Sequence, residues 1–117
     1  MIHLDKLRSR YLQDTIPTRI GGLAANLARM ASFSKHDDHQ KVVTATIQES
    51  KWFIEWTAGE LSIDETAELI ILQSQLARWE LQSHKEWKNM QWRQELERNS
   101  RQWSERLLRM SGLLNQS

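Results

Sequence analysis

The feature that most restricts this chain is how seldom it is punctuated. One proline, Pro17, and four glycines, Gly21, Gly22, Gly59 and Gly112, are spread over 117 residues. Between them apolar residues recur every three or four positions, and no stretch alternates at period two for long enough to make a strand. The reading is all-α. Its expected form is a single domain over residues 1–117, an up-and-down four-helix bundle with a short N-terminal helical extension. A chain of this length buries roughly two thirds of its unfolded surface on folding, which is enough for a core without covalent staples.

A first short helix is expected over Leu4 to Gln13, with Leu4, Leu7 and Tyr11 on one side. Asp14-Thr15-Ile16-Pro17 interrupts it, because proline disfavours the α conformation at the residue before it and suits the first turn of a new helix. The second helix, running to about Ser32, carries two stripes. Ile16, Ile20, Leu23, Leu27 and Met30 make one of large residues; Gly21, Ala24, Ala25, Ala28 and Ala31 make one of small residues beside it. The small stripe implies a neighbour at close range, with Ala25 and Ala28 in the contact. Thr18, Arg19, Gly22, Asn26 and Arg29 are expected to face away. Gly22 on that polar side costs roughly 1 kcal/mol of helix propensity, which the close approach of another chain would explain.

After a polar turn over residues 34–39, a helix is expected from about Asp38 to Ala58, burying Val43, Ile47, Phe53 and Ile54. Ser62 and Glu65 have the spacing of a capping box, so the third main helix starts there and runs to about Lys88. Ile63, Ala67, Ile70, Ala77 and Leu81 share one side of it, and Leu69, Leu72, Leu76, Trp79 and Trp87 another. Asp64, Glu68, Gln75, Arg78, Gln82 and Glu86 form a polar strip. A helix apolar on two sides is either the centre of the fold or part of an oligomer interface. Ile71 falls within the polar strip and is left over by a single bundle, which points to a homodimer or, in competition with it, to the N-terminal extension wrapping over this strip within one chain. No breaker stands near Lys88-Asn89-Met90, so a single bent helix is a live alternative to two. The last helix shows a seam, Trp92, Leu96, Asn99, Trp103, Leu107, Met110 and Leu114, at alternating spacings of four and three. Opposite it, Arg93, Glu97, Arg101, Glu105 and Arg109 mark the expected solvent side, and Gly112 suits a C-cap.

Little in the chain speaks for chemistry. Cysteine is absent, which removes disulfides, thiol nucleophiles and thiolate metal sites and fits a reducing compartment. No apolar run approaches the ~20 residues of a membrane span, and the start lacks a signal-peptide core, so a cytoplasmic location is the default. His36 and His39 with Asp37 and Asp38 are potential metal ligands, but helix capping and turn formation account for them better. No Glu has a His three residues later, which removes the paired Glu-x-x-His arrangement of di-metal bundles. His84 is the only helical candidate for a haem ligand and reads as a surface residue. No cofactor and no enzyme activity are expected.

Interaction is better supported. Trp52 and Trp56 sit one turn apart, with Ala45, opposite Ile47 and Ile54. Either the first short helix covers them with Leu4, Leu7 and Tyr11, or they form a patch for a partner, as tryptophan often does. Charge is uneven along a chain of net +1. Glu60 to Glu80 holds five acids and one base; Lys85 to Arg109 holds seven bases and four acids. The basic stretch, interleaved with Trp87, Trp92 and Trp103, allows a nucleic-acid reading. Stacking needs exposed aromatic faces, however, and the seam places Trp92 and Trp103 in the core, while Glu97 and Glu105 occupy most of the arginines.

The run Ile16-Pro17-Thr18-Arg19-Ile20-Gly21-Gly22-Leu23-Ala24-Ala25-Asn26-Leu27-Ala28-Arg29, with Phe53-Ile54-Glu55-Trp56-Thr57-Ala58 downstream, resembles small helical proteins of unknown function found in cyanobacteria. The resemblance implies no activity and assigns no residue a role. The leading expectation is therefore a non-catalytic, self-associating protein-interaction module with partner-binding residues Trp52, Trp56 and Ile71. The alternative is a nucleic-acid-binding regulator using the basic C-terminal helix.

The seam makes a direct prediction. Trp103 is buried while Arg101 and Glu105 are exposed, so Trp103→Ala costs about 3–5 kcal/mol in denaturant unfolding. A variant as stable as the parent would reverse the orientation assigned to the last helix.

Overall fold

Residues 2–113 are described by a computed structural model. Five helices make up most of that stretch: α1 (Ile2–Gln13), α2 (Ile16–Phe33), α3 (Gln40–Thr57), α4 (Ile63–Glu86) and α5 (Met90–Ser111), with one 3₁₀ turn at Ala58–Glu60. No strand occurs among the described residues, and no helix among them is long and apolar enough to cross a membrane.

Local chemistry sets most boundaries. The Thr15 hydroxyl accepts from the Thr18 amide ahead of α2, with Pro17 in the first turn. The Ser62–Glu65 capping box forms in both directions and starts α4. Gly112 closes α5 at φ 76°, a left-handed conformation that favours glycine. α4 and α5 are two helices, and Asn89 separates them. Its Oδ1 accepts from the Gln91 and Trp92 amides, so an asparagine N-cap does what no glycine or proline was present to do. The capping expected of Asp37 and Asp38 is not realised: α3 starts at Gln40, and His39 at its N-cap makes no side-chain cap bond.

The main helices touch in ring order, α2 against α3 and α5, α3 against α4, and α4 against α5, while α1 rests on α3. Their cross-links run antiparallel. In the α2–α5 pair, Gly21 lies by Leu113 at one end, and the Ser34 carbonyl accepts from Arg93 at the other. This pair makes the most extensive approach in the molecule. Small residues allow it: Ala24 and Ala31 are buried on α2, and Ser100, Ser104 and Ser111 on α5. The Ser104 hydroxyl donates to the Ala24 carbonyl across the contact at 2.7 Å. Ser100 and Ser111 donate to carbonyls of their own helix, which satisfies the hydroxyls that burial would otherwise leave costly.

Several helix faces are turned from where periodicity put them. Ala25 is exposed and Ala28 half-buried, so the close contact expected of Ala25 and Ala28 is made instead at Ala24, with Ala31 also buried. A Cβ at Gly22 would meet nothing within 4 Å, whereas one at Gly21 would stand 2.8 Å from Leu113 Cδ1; the approach is at Gly21. On α5 the buried set is Arg93, Leu96, Ser100, Trp103, Ser104, Leu107 and Ser111, with Trp92, Asn99 and Met110 only half-buried; Leu114 lies outside the described residues. Trp103 is buried and Arg101 and Glu105 are exposed, as expected. Arg93 is not on the solvent side. A row spaced by four residues advances about 40° per step, so five members sweep about 160° and one end must turn inward.

Three polar residues expected outside are buried for the same kind of reason, that each has partners. Arg19 donates to the Asp14 and Leu12 carbonyls at 2.9 Å and pairs with Glu60 at 2.7 Å, which ties the carboxyl end of α1 to α2 and the 3₁₀ turn. Asn26 donates to Glu49 and Ser50 of α3 and accepts from Arg29. Arg93 stacks on Trp87 while reaching the Ser34 carbonyl at the end of α2, where a cation also suits the helix dipole.

The stripe can be tested one residue at a time. Ala24→Leu overpacks the α2–α5 contact and costs about 1–3 kcal/mol, whereas Ala25→Leu on the exposed side stays within about 0.5 kcal/mol of the parent. Chemical denaturation of the two variants reads this directly, and equal losses would leave the contact without its assigned meaning.

Candidate interaction surfaces

α4 has two apolar sides and only one of them is covered. Leu69, Leu72, Leu76, Trp79 and Ser83 are buried against α3 and α5. The other side, expected as a second buried face, is open: Ile63 is 88% exposed, Leu81 74%, Ile70 57% and Ile71 50%. Ala67 and Ser74 are exposed between them and Ala77 is half-buried. The row Ile63, Ala67, Ile70, Ser74, Ala77, Leu81 alternates by four and three, the spacing that keeps side chains on one line of a helix against a partner helix. α4 is therefore not the centre of the fold. Its neighbours lie on the opposite side.

The polar strip explains why. Glu68, Gln75 and Gln82 recur every seven residues and face α5. Glu68 forms an ion pair with Arg106. Gln75 accepts from the Trp103 indole at 2.9 Å, and Gln82 from the Trp92 indole at 3.1 Å. On the flank toward α3, Gln73 donates to the Lys51 carbonyl and Lys51 pairs with Glu80 at 2.9 Å. Two sets of polar cross-links thus hold α4 by its sides. Ile71 borders a surface recess it shares with Gln75, Asn99, Gln102, Trp103 and Arg106.

Trp52 and Trp56 lie elsewhere, on α3. They stack at 6.3 Å with ring planes 18° apart, and both are half-buried. Trp56 meets Tyr11 at 6.0 Å and Phe53 at 6.1 Å, so α1 shelters the inner tryptophan. Tyr11 is the pin of that arrangement. It stacks on Phe53 at 4.0 Å, donates to the Arg19 carbonyl at 3.1 Å and accepts from Thr57. Burial pushes its phenol up to about 12, against a hydrogen bond from Thr57 that favours the ionised form.

The basic helix is more open in charge and less open in aromatic surface than its sequence suggests. Arg98, Arg101 and Arg109 are exposed, and Glu97 pairs with Lys35 at 3.8 Å instead of with an arginine of its own row. Trp87 and Trp103 are buried, and Trp92 is half-buried with its indole bonded to Gln82. The indole of Trp87 donates to the Asp37 carbonyl at 2.6 Å, which fastens the loop between α2 and α3. His36 and His39 meet edge to face at 5.3 Å, and His39 packs on Phe33. Among the described residues no three His, Asp or Glu side chains gather as a metal site would need. His84 is exposed. No family model, curated protein or solved structure matches this chain.

Tyr11 gives a pH test with a definite sign. Its phenol is raised in the fold above the usual 10, so the stability it contributes is whole below pH 10 and is lost as pH rises toward 12. Wild-type protein should lose more stability over that interval than Tyr11→Phe does. Because Tyr11 is the only tyrosine, phenolate absorbance follows this one group; ionisation at the ordinary pH in the folded protein would contradict the burial argument.

Proposed function

We propose that this chain is a non-catalytic protein-interaction module, an up-and-down bundle of four main helices with α1 as an N-terminal extension, that works through the outer face of α4. The ring order of contacts and the antiparallel cross-links support the bundle arrangement. One observation carries the function: a straight, mostly apolar row spans about 27 Å of helix surface with Ile63 and Leu81, its two ends, 88% and 74% exposed. Monomeric proteins seldom leave such a row uncovered, and where they do it marks a contact site. The buried polar groups point the same way. Tyr11, Arg19, Asn26 and Arg93 are each tied into helix-to-helix bonds, which is structural work. A cytoplasmic setting belongs to the same reading, since a chain without cysteine suits a reducing compartment.

The exposed arginines of α5 favour a second reading, contact with nucleic acid through phosphates alone. Stacking is not part of it, because the indoles of Trp87, Trp92 and Trp103 donate within the bundle. Binding of that kind weakens steeply with salt, and apolar docking on α4 does not.

A photoreactive side chain at Ser74, in the middle of the row, tests the first reading against one at Gln94 on the exposed side of α5. In cells the Ser74 position should yield a discrete protein adduct and the Gln94 position none. Equal labelling at both, or none at Ser74, would end the claim that this face binds protein.

A further inference from the structure

The row on α4 is symmetric in spacing and, outside its middle pair, in residue size. Counted outward from Leu72, Ile63 stands opposite Leu81, Ala67 opposite Ala77, and Ile70 opposite Ser74. A helix laid antiparallel on this row with a two-fold axis at Leu72 would therefore meet large apolar ends with large apolar ends and small residues with small ones. Ile70 would fill the space above the partner's Ser74. The charges follow the same symmetry. The first turn of α4 is acidic, with Asp64 and Glu65, and the last is basic, with His84 and Lys85. Asp64 and Arg78 are both exposed and lie on the same flank of the row, about 100° and 60° round from Ile63 at helical spacing. In an antiparallel pair each Asp64 comes level with position 80 of the partner, two residues from Arg78. Ile71 falls on that same flank one residue from the axis, so it meets its own copy. That covers the residue a single bundle leaves out.

We infer that the occupant of the α4 face is a second copy of this chain, docked antiparallel about a two-fold axis at Leu72, with each Asp64 paired to the partner's Arg78. The inference rests on the interaction reading above and names its partner. An unrelated partner helix would require no such symmetry, and in a parallel dimer Asp64 and the partner's Arg78 would stand on opposite flanks at different levels and could not pair. Isologous packing of one patch on itself is also the commonest form of soluble assembly. The contact uses one helix face, so it falls at the small end of specific interfaces and exchanges readily.

Sedimentation equilibrium of the full chain tests it at about 100 μM, where even a Kd in the tens of micromolar populates the dimer. The wild type should be dimeric. Ile70→Glu and Ile71→Glu should each weaken the dimer about tenfold or more, since each buries an unpaired carboxylate. Asp64→Arg and Arg78→Asp should weaken it singly, and the double variant D64R/R78D should restore it; failure of that rescue overturns the register. The chain has no cysteine of its own, so engineered pairs report geometry cleanly. Ile63→Cys mixed with Leu81→Cys should give a mixed disulfide, while neither oxidises to a dimer alone; self-linking of Ile63→Cys would mean a parallel pair. A monomer throughout, with Ser74 still labelling a different protein, overturns self-docking and leaves the interaction module standing. A monomer with no adduct at Ser74 removes both.

Discussion

The contact on which the rest depends is the close approach of α2 and α5. Residues 16–33 and 90–111 are far apart in the chain, so bringing them together costs loop entropy that only a well-made contact can offset. Small side chains make that contact. Ala24 and Ala31 are buried on α2 and Ser100, Ser104 and Ser111 on α5, and the Ser104 hydroxyl bonds the Ala24 carbonyl. Dispersion falls off steeply with separation, so backbones that approach this closely gain contacts along their whole length. Leu23, Leu27, Leu96 and Leu107 on the same two helices are buried in the common core. With α2 and α5 joined, α3 and α4 are drawn along as the two helices that complete the ring.

Polar residues fasten the ring at its corners. Arg19 ties α1 and the 3₁₀ turn to α2, Asn26 joins α2 to α3, Lys51 and Glu80 join α3 to α4, and Glu68, Gln75 and Gln82 join α4 to α5. A buried polar group that loses its partner costs far more than its bond contributes. That applies to the buried Arg19 and Asn26, which specify an inward face of α2 as much as they add stability; the half-exposed links of α4 add less. α4 turns its second apolar side outward because Leu69, Leu72, Leu76 and Trp79 fill the core, with the polar links on its two flanks compatible with that orientation. The functional proposal follows from that orientation.

The same accounting separates two kinds of tryptophan. Trp87, Trp92 and Trp103 give their indole hydrogens to Asp37, Gln82 and Gln75; Trp87 and Trp103 are buried between helices and Trp92 is half-buried at the α4–α5 edge. Trp52 and Trp56 stack on each other at the surface of α3, the second of them sheltered by Tyr11. Tryptophan content alone would have treated all of them as one feature.

What the sequence determined by itself was local. Helical content, the break at Pro17, the Ser62–Glu65 box and the Gly112 cap rest on interactions within a few residues, and caps and period are enough to find them; the burial of Trp103, a contact between helices, was legible only through the period of the α5 seam. Equally local is the cap at Asn89, an N-cap residue that marks a helix start without any glycine or proline beside it. Ile71 and the row beside it were visible as surplus apolar residues, though not which apolar side of α4 was the surplus one. That choice, the burial of Arg19, Asn26 and Arg93, and the turning of the α5 seam toward its serines were decided only by tertiary structure. The reason is physical: a helix can present any of several faces at nearly equal local cost, and which one is buried depends on partners that arrive from distant parts of the chain. Serine and arginine read as solvent residues until a carbonyl or an indole of another helix stands within bonding distance.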